Sequence, residues 1–239
     1  MRFIRFSIIS LLAVLSLGSC LKFETVFPYG NTVAYERPVR TFDNIAVSSG
    51  FELIVTQDNS QEVVIEAKEN LHQYIEVEVI GSTLRVYCRR GIIFGWGAVV
   101  RVYVSTDYLD NVSSSGGGSI VFDNLWVGNK LDIHVSGGGD LFGDVDLISL
   151  DVSLSGGSKA DLAGFADYLN INSSGGSKTW FNYLESLDCD ITVSGGGYAE
   201  IYAKQNLHVN GSGGSKVFFK GNPFITSNLS GGSIVNKTR

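Results

Sequence analysis

Seven times between Ser115 and Gly232 the chain repeats Ser-Gly-Gly, beginning at Ser115, Ser136, Ser155, Ser174, Ser194, Ser212 and Ser230. The spacing is nearly even. Self-similarity at a period of about 20 residues marks stacked supersecondary units, and it limits the fold before any other property is considered. Aligned on the Ser of each triplet, the positions five, three and one before it are mostly apolar and alternate with polar residues. The clearest sets are Leu131, Ile133, Val135; Leu150, Val152, Leu154; and Cys189, Ile191, Val193. Two-residue alternation is the period of a half-buried strand. A second alternation follows the triplet at plus five and plus seven, as in Ile120, Phe122; Ala160, Leu162; and Val217, Phe219. Each repeat therefore holds two short strands joined by a glycine corner. Glycine suits such a corner because it takes positive φ without steric cost and lets a neighbouring coil approach closely.

No stretch between the strands is long enough to hold the helical period that a βαβ unit needs. Antiparallel hairpins would put alternate corners at opposite ends, whereas these corners share one chemistry and stack on one another. The pattern predicts an all-β fold, a parallel β-helix of about seven coils. At roughly 4.8 Å per coil this is a rod about 34 Å long. Gly143, Ser173, Thr179 and Gly211 fall at inward positions. The two hydroxyls there are expected to find a backbone or stacked-serine partner. The Asn-x-Ser strings at Asn172, Asn210 and Asn228 follow from the repeat, which places a polar outward residue two before the Ser.

The segment Met1–Ser19 has a basic start (Arg2, Arg5), an apolar run from Phe6 to Leu17 and small residues before Cys20. That is a secretory signal. Leu17-Gly18-Ser19-Cys20 resembles the lipobox of bacterial lipoproteins, in which cleavage precedes a Cys that carries the lipid. Cys20 is thus the expected lipidation site, and the expected location is the cell envelope, as an outer-membrane lipoprotein facing the periplasm or the outside. Residues 20–39, with Pro28, Gly30 and Pro38, lack periodicity and read as a lipidated tether. No later stretch approaches the apolar length that a membrane-spanning helix requires. With 18 basic against 24 acidic residues, a net charge of −6, the chain has no basic footprint for nucleic acid. Cys88 and Cys189 show no spacing pattern; a disulfide between them is open.

Residues 40–110 carry about six further strands and read as a capping region, since a β-helix exposes unpaired backbone and core side chains at each end. With the repeats of residues 111–239 they form one domain. The block Phe42-Asp43-Asn44-Ile45, then Gly50-Phe51-Glu52-Leu53-Ile54-Val55, then the recurring Ser-Gly-Gly resembles the bacterial head GIN domain family, described as autotransporter adhesin heads. The resemblance spans roughly residues 40 to 235. It implies a single-stranded, right-handed β-helix, often on a lipoprotein of Bacteroidetes-type bacteria, and it supplies no catalytic residues to carry over. The C-terminal coil, ending Ser230-Gly231-Gly232-Ser233-Ile234-Val235, reads as weakly protected and open to self-association.

Polysaccharide-cleaving β-helices need a pair of acids, or acids with a base, in a cleft. Here Asp140, Lys159, Asp161 and Lys178 are the nearest equivalent. Asp140 is expected to pair with Lys159 on the surface, for about 0 to 1 kcal/mol. Because repeat length barely varies, the long insertions that would wall a cleft are missing, so a solvated ladder is the simpler reading. Calcium-type glycine repeats carry an Asp in every copy, and Gly137-Gly138-Gly139-Asp140 occurs once. No His/Cys spacing suggests zinc. No enzyme activity, metal or cofactor is expected.

One segment breaks the repeat logic. Gly91–Ala98 is a loop carrying Ile92, Ile93, Phe94 and Trp96, flanked by Arg85, Arg89, Arg90 and Arg101. It either folds onto the core as part of the cap or stays exposed for a protein partner or a membrane surface. Trp180, Tyr198, Tyr202 and Phe218 are outward aromatics that can stack on sugar rings or simply on one another. The function expected is non-enzymatic binding or adhesion to a carbohydrate or protein ligand, with a polysaccharide-active enzyme or a self-associating scaffold as alternatives.

Overall fold

The computed structural model describes residues 23–238, so Cys20 and the signal segment lie outside the described residues. Residues 24–36 are not a tether. β1 (Glu24–Val26) pairs in parallel with a later strand, and β2 (Thr32–Glu36) lies antiparallel along a sheet edge. Their side chains are mostly exposed, so what holds them is backbone pairing, which leaves no hydrophobic period in the sequence.

Next come β3 (Asn44–Val47), β4 (Glu52–Gln57), β5 (Glu62–Lys68), a 3-10 turn (Glu69–Tyr74), β6 (Ile75–Ile80), β7 (Thr83–Cys88), β8 (Ile92–Phe94) and β9 (Val100–Thr106). β7 and β9 stack in parallel beneath β3 and β4, respectively. They form a terminal coil whose corner has grown into the excursion Arg89–Val99. Beyond it the chain reverses: β6 runs antiparallel to β7, β5 antiparallel to β9, and β2 antiparallel to β5. This switch in direction ends the parallel stack, because another coil would need a strand running the same way.

The repeats supply β10 (Asn111–Ser114), β11 (Ile120–Phe122), β12 (Trp126–Val135), β13 (Asp140–Leu154), β14 (Lys159–Ser173), β15 (Lys178–Val193), β16 (Tyr198–Gly211), β17 (Lys216–Lys220), β18 (Phe224–Leu229) and β19 (Ile234–Lys237). β13 to β16 each run a whole coil, from one Ser-Gly-Gly to the next. The register stacks like on like: Leu131, Leu150, Leu169, Cys189 and Leu207 form one inward column, and Ile133, Val152, Ile171, Ile191 and Val209 another. All ten are buried, so the expected inward alternation and the parallel β-solenoid are observed. The stack also starts before the first Ser-Gly-Gly. β3 and β4 pair in parallel with β10 and β11, and their link, Ser48-Ser49-Gly50, is an eighth corner.

The corners show why the first glycine is required. Its φ is positive in every copy, and a Cβ on Gly175 would come within 2.7 Å of the Gly156 carbonyl oxygen in the coil below. Three residues after the leading Ser stands either a serine or a glycine. Ser158 and Ser177 donate to the carbonyls of Ser155 and Ser174, both at 2.6 Å. At Gly139 a Cβ would lie 2.0 Å from the Gly118 carbonyl oxygen, so no side chain fits.

Two expectations need correction. Among the described residues the buried hydroxyls of Ser173 and Thr179 have no hydrogen-bond partner. Their column neighbours are Leu154 and Val193 for Ser173 and Ala160 and Ala199 for Thr179, so there is no hydroxyl to stack upon. Asp140 and Lys159 are register partners yet form no ion pair within 4 Å among the described residues. In open water the pairing gains too little to hold two long side chains in place.

Candidate functional site

On the strand that follows each corner, the outward position six residues after the Ser makes a column along the rod. It reads Val121, Phe142, Asp161, Trp180, Glu200, Phe218 and Asn236, each the register partner of the next. Aromatic rings thus stand on alternate coils, Phe142, Trp180 and Phe218, with one carboxylate between each pair. Successive rings are two coil spacings apart, roughly 9.6 Å. Phe142, 43% exposed, belongs to the column although its sequence position alone did not single it out; the register did.

Tyr198 flanks the column two residues before Glu200. Its ring lies 5.5 Å from that of Phe218, tilted by 41°. Its hydroxyl donates to the Glu200 carboxylate, and this bond, more than its slight burial, pushes the Tyr198 pKa up to about 12. Glu200 is thereby held in place beside Trp180 and Phe218. Lys159, Lys178 and Lys216 line the same side as Tyr198, two residues before each column member. Tyr202 lies one column further over, in register with Lys220.

The neighbouring face carries a shallow hydroxyl-lined trough that sequence reasoning did not identify. Two hollows of about 890 and 340 Å³ meet at His134 and Ser136. Leading corner serines and the outward residues two before them, among them Ser113, Ser153, Asn172 and Thr192, line it, with Arg85, Tyr87 and Arg90 at one end. Among the described residues no carboxylate lines either hollow. The signal was present in the repeating Ser, which reads as purely structural when only the glycines are weighed.

Asp140, Lys159, Asp161 and Lys178 do come together, on adjacent rungs. They line none of the principal hollows and stand on an open sheet face, not in a cleft. His72, His134 and His208 do not converge: His72 is buried against the Val33 carbonyl at 3.1 Å, His134 faces the trough, and His208 lies 2.6 Å from the Thr226 hydroxyl. Among the described residues no group of three or more His, Cys, Asp or Glu gathers as metal ligands would. Cys88 and Cys189 are both free thiols, the second buried. Burial pushes both thiol pKa values up.

The apolar excursion is partly folded onto the core and partly exposed. Phe94 packs at the edge of the core and stacks on Phe51, with ring centroids 6.0 Å apart. Ile92 is half-buried, Ile93 is exposed, and Trp96 is 94% exposed. β8 pairs with β1, Gly95 lies against the Phe27 ring and Gly97 near Pro28, so the start of the described chain and this corner form one surface. No helix among the described residues is long and apolar enough to cross a membrane.

Solved structures share this fold. A "putative adhesin" from Bacteroides fragilis NCTC 9343 superposes with a TM-score of 0.80 at 19% identity, covering 89% of this chain and 98% of that one. A "putative lipid binding protein" from Parabacteroides distasonis ATCC 8503 gives 0.74 at 19% identity, covering 90% and 100%. A "putative adhesin" from Parabacteroides merdae ATCC 43184 gives 0.70 at 18%, also covering 90% and 100%. Among curated proteins none matches the sequence. Residues 41–223 match the family described as "Putative auto-transporter adhesin, head GIN domain". With its order of Phe42, Ile45, the Gly50–Val55 block and stacked Ser-Gly-Gly corners, the chain belongs to that head GIN domain family.

Proposed function

We propose that the protein is a non-enzymatic, lipid-anchored component of the cell envelope whose solenoid binds an extended carbohydrate. The carrying observation is the column Phe142, Asp161, Trp180, Glu200, Phe218. An extended β-linked glycan presents the same ring face at every second sugar, close to the spacing of the three aromatic rings. The C–H face of a sugar packs on an aromatic ring, while its hydroxyls donate to a carboxylate, a charge-assisted bond stronger than a neutral one. Asp161 and Glu200 stand where the intervening sugars would lie. The open face favours holding a long chain over cutting it, because hydrolysis needs two acids facing one bond across a walled site.

Anchoring is supported by Leu17-Gly18-Ser19-Cys20 closing the apolar leader. The deciding experiment is retardation of the chain from residue 21 in gels carrying a soluble β-linked polysaccharide, with Trp180→Ala as the comparison. Equal mobility with and without polysaccharide overturns the glycan reading and leaves a protein ligand. Protease added to whole cells reports orientation: a protected domain removes adhesion to external surfaces and leaves a periplasmic role.

A second reading, self-association through the last coil, is favoured by β18. All six of its residues are exposed, Phe224 by 72%. Among the described residues β18 pairs on one side alone, with β16.

A further inference from the structure

We propose that the corner built from Trp96 and the first described residues is a lipid-docking face, which lays the N-terminal end of the rod on the bilayer surface. Phe23, Phe27, Tyr29, Ile93, Trp96 and Val99 are all exposed large apolar side chains. They come from two stretches that the β1–β8 pairing, the Phe27–Gly95 contact and the Pro28–Gly97 approach bring onto one surface. Soluble proteins rarely leave so many aromatic rings together in water, and a cluster of this kind marks an interaction site.

The occupant follows from where the described chain starts. Phe23 lies three residues after Cys20, at most about 11 Å of fully extended chain. An acyl group on Cys20 therefore brings this corner to the headgroups; that step rests on the anchoring reading above. With β1 held in the fold, no long tether lets the corner stand clear of the bilayer. Trp and Tyr prefer the headgroup region, where an apolar ring and a polar edge are both satisfied. Arg90, exposed and without an ion pair among the described residues, adds a guanidinium for a lipid phosphate, whereas Arg89 is engaged by Glu76 at 2.8 Å. Glu24 on β1 opposes that charge, and the whole chain carries −6. Apolar and aromatic insertion, not charge, thus leads the contact. The other end of the stack, and the glycan column along it, project away from the membrane.

The test uses the chain from residue 21, which holds every described residue and cannot be acylated at Cys20, with vesicles of phosphatidylethanolamine and phosphatidylglycerol. The expected result is co-sedimentation that persists at high salt. Trp96→Ala should lower the bound fraction by about tenfold, since one fully exposed indole would be removed from the lipid contact. Phe27→Ala should weaken binding in the same direction, and Trp180→Ala should leave it unchanged. Because Trp96 is so exposed, its loss does not threaten the fold; acrylamide quenching gives an independent reading, with Trp96 becoming shielded on vesicle addition. Failure to sediment, or equal quenching with and without vesicles, overturns docking and assigns the corner to a protein partner. Membrane fractionation of Cys20→Ser in cells tests anchoring separately, so the two ideas fail independently.

Discussion

Ser49 and Gly116 occupy the same place in successive coils, both in the left-handed backbone region, with φ of +68° and +77°. A Cβ on Gly116 would sit 3.2 Å from the Ser49 amide nitrogen. Ser49 is the one non-glycine residue with positive φ among the described residues, and its hydroxyl accepts from the Cys88 amide at 3.1 Å. Left-handed backbone costs a side-chain-bearing residue roughly 1–2 kcal/mol. Gly116→Ala should therefore destabilise by about 1–3 kcal/mol in denaturant unfolding, combining that strain with the tight approach. Ser49→Gly should be nearly neutral, because relief of strain is offset by loss of a bond worth about 1 kcal/mol. Wild-type stability in Gly116→Ala would refute this account of the corners.

Those corners also show what was legible in the sequence. Columns such as Leu131, Leu150 and Leu169 could be read because period-two burial repeats at a fixed interval, and the family resemblance points to the same fold. The Ser48-Ser49-Gly50 corner was not, since a serine holds the glycine position. β2 was missed because Thr32–Glu36 is held by edge pairing with little burial. In the apolar excursion, composition marked the segment but could not assign sides: pairing with β1 turns Phe94 toward Phe51 and leaves Ile93 and Trp96 in water. Phe142 joined the aromatic column only through register, a property of the stack and not of one repeat.

For the glycan column, Trp180→Ala and Phe218→Ala should each weaken polysaccharide binding by roughly three- to tenfold, the size of one lost aromatic contact. Affinity electrophoresis measures it. Glu200→Gln should also weaken binding, and its removal of the charged partner should bring the Tyr198 pKa back down from about 12 toward the ordinary tyrosine range, visible in an ultraviolet titration. Unchanged binding in all three variants would count against the column as the ligand face.

Cys189 gives a prediction in pH. Burial raises its thiol pKa in the folded state, so the native chain keeps the proton while the unfolded thiol ionises near pH 8.5. The native state then binds more protons, and stability must fall as pH rises above that value, by about 1.4 kcal/mol per unit from this group. Full stability is present below it. Cys189→Ala should lose that part of the slope in urea titrations between neutral and alkaline pH. In thiol labelling of the native protein, Cys88, half-buried, should react slowly and Cys189 only after unfolding.

The last coil should make the protein associate with itself. Ile225 and Leu229 continue the inward columns of Leu207 and Gly211, yet both are exposed because no further coil among the described residues lies over them. Val235 likewise continues the column of Val217 and is only partly buried. β18 also presents unpaired backbone groups along its free edge, which is the usual template for strand addition. A second copy meeting edge to edge covers both the apolar columns and the backbone. Light scattering of the chain from residue 21 should therefore show mass rising with concentration. Leu229→Lys should suppress it, since a charge on the free edge blocks pairing while leaving the coils beneath intact. A protein that stays monomeric at high concentration would rule out this contact.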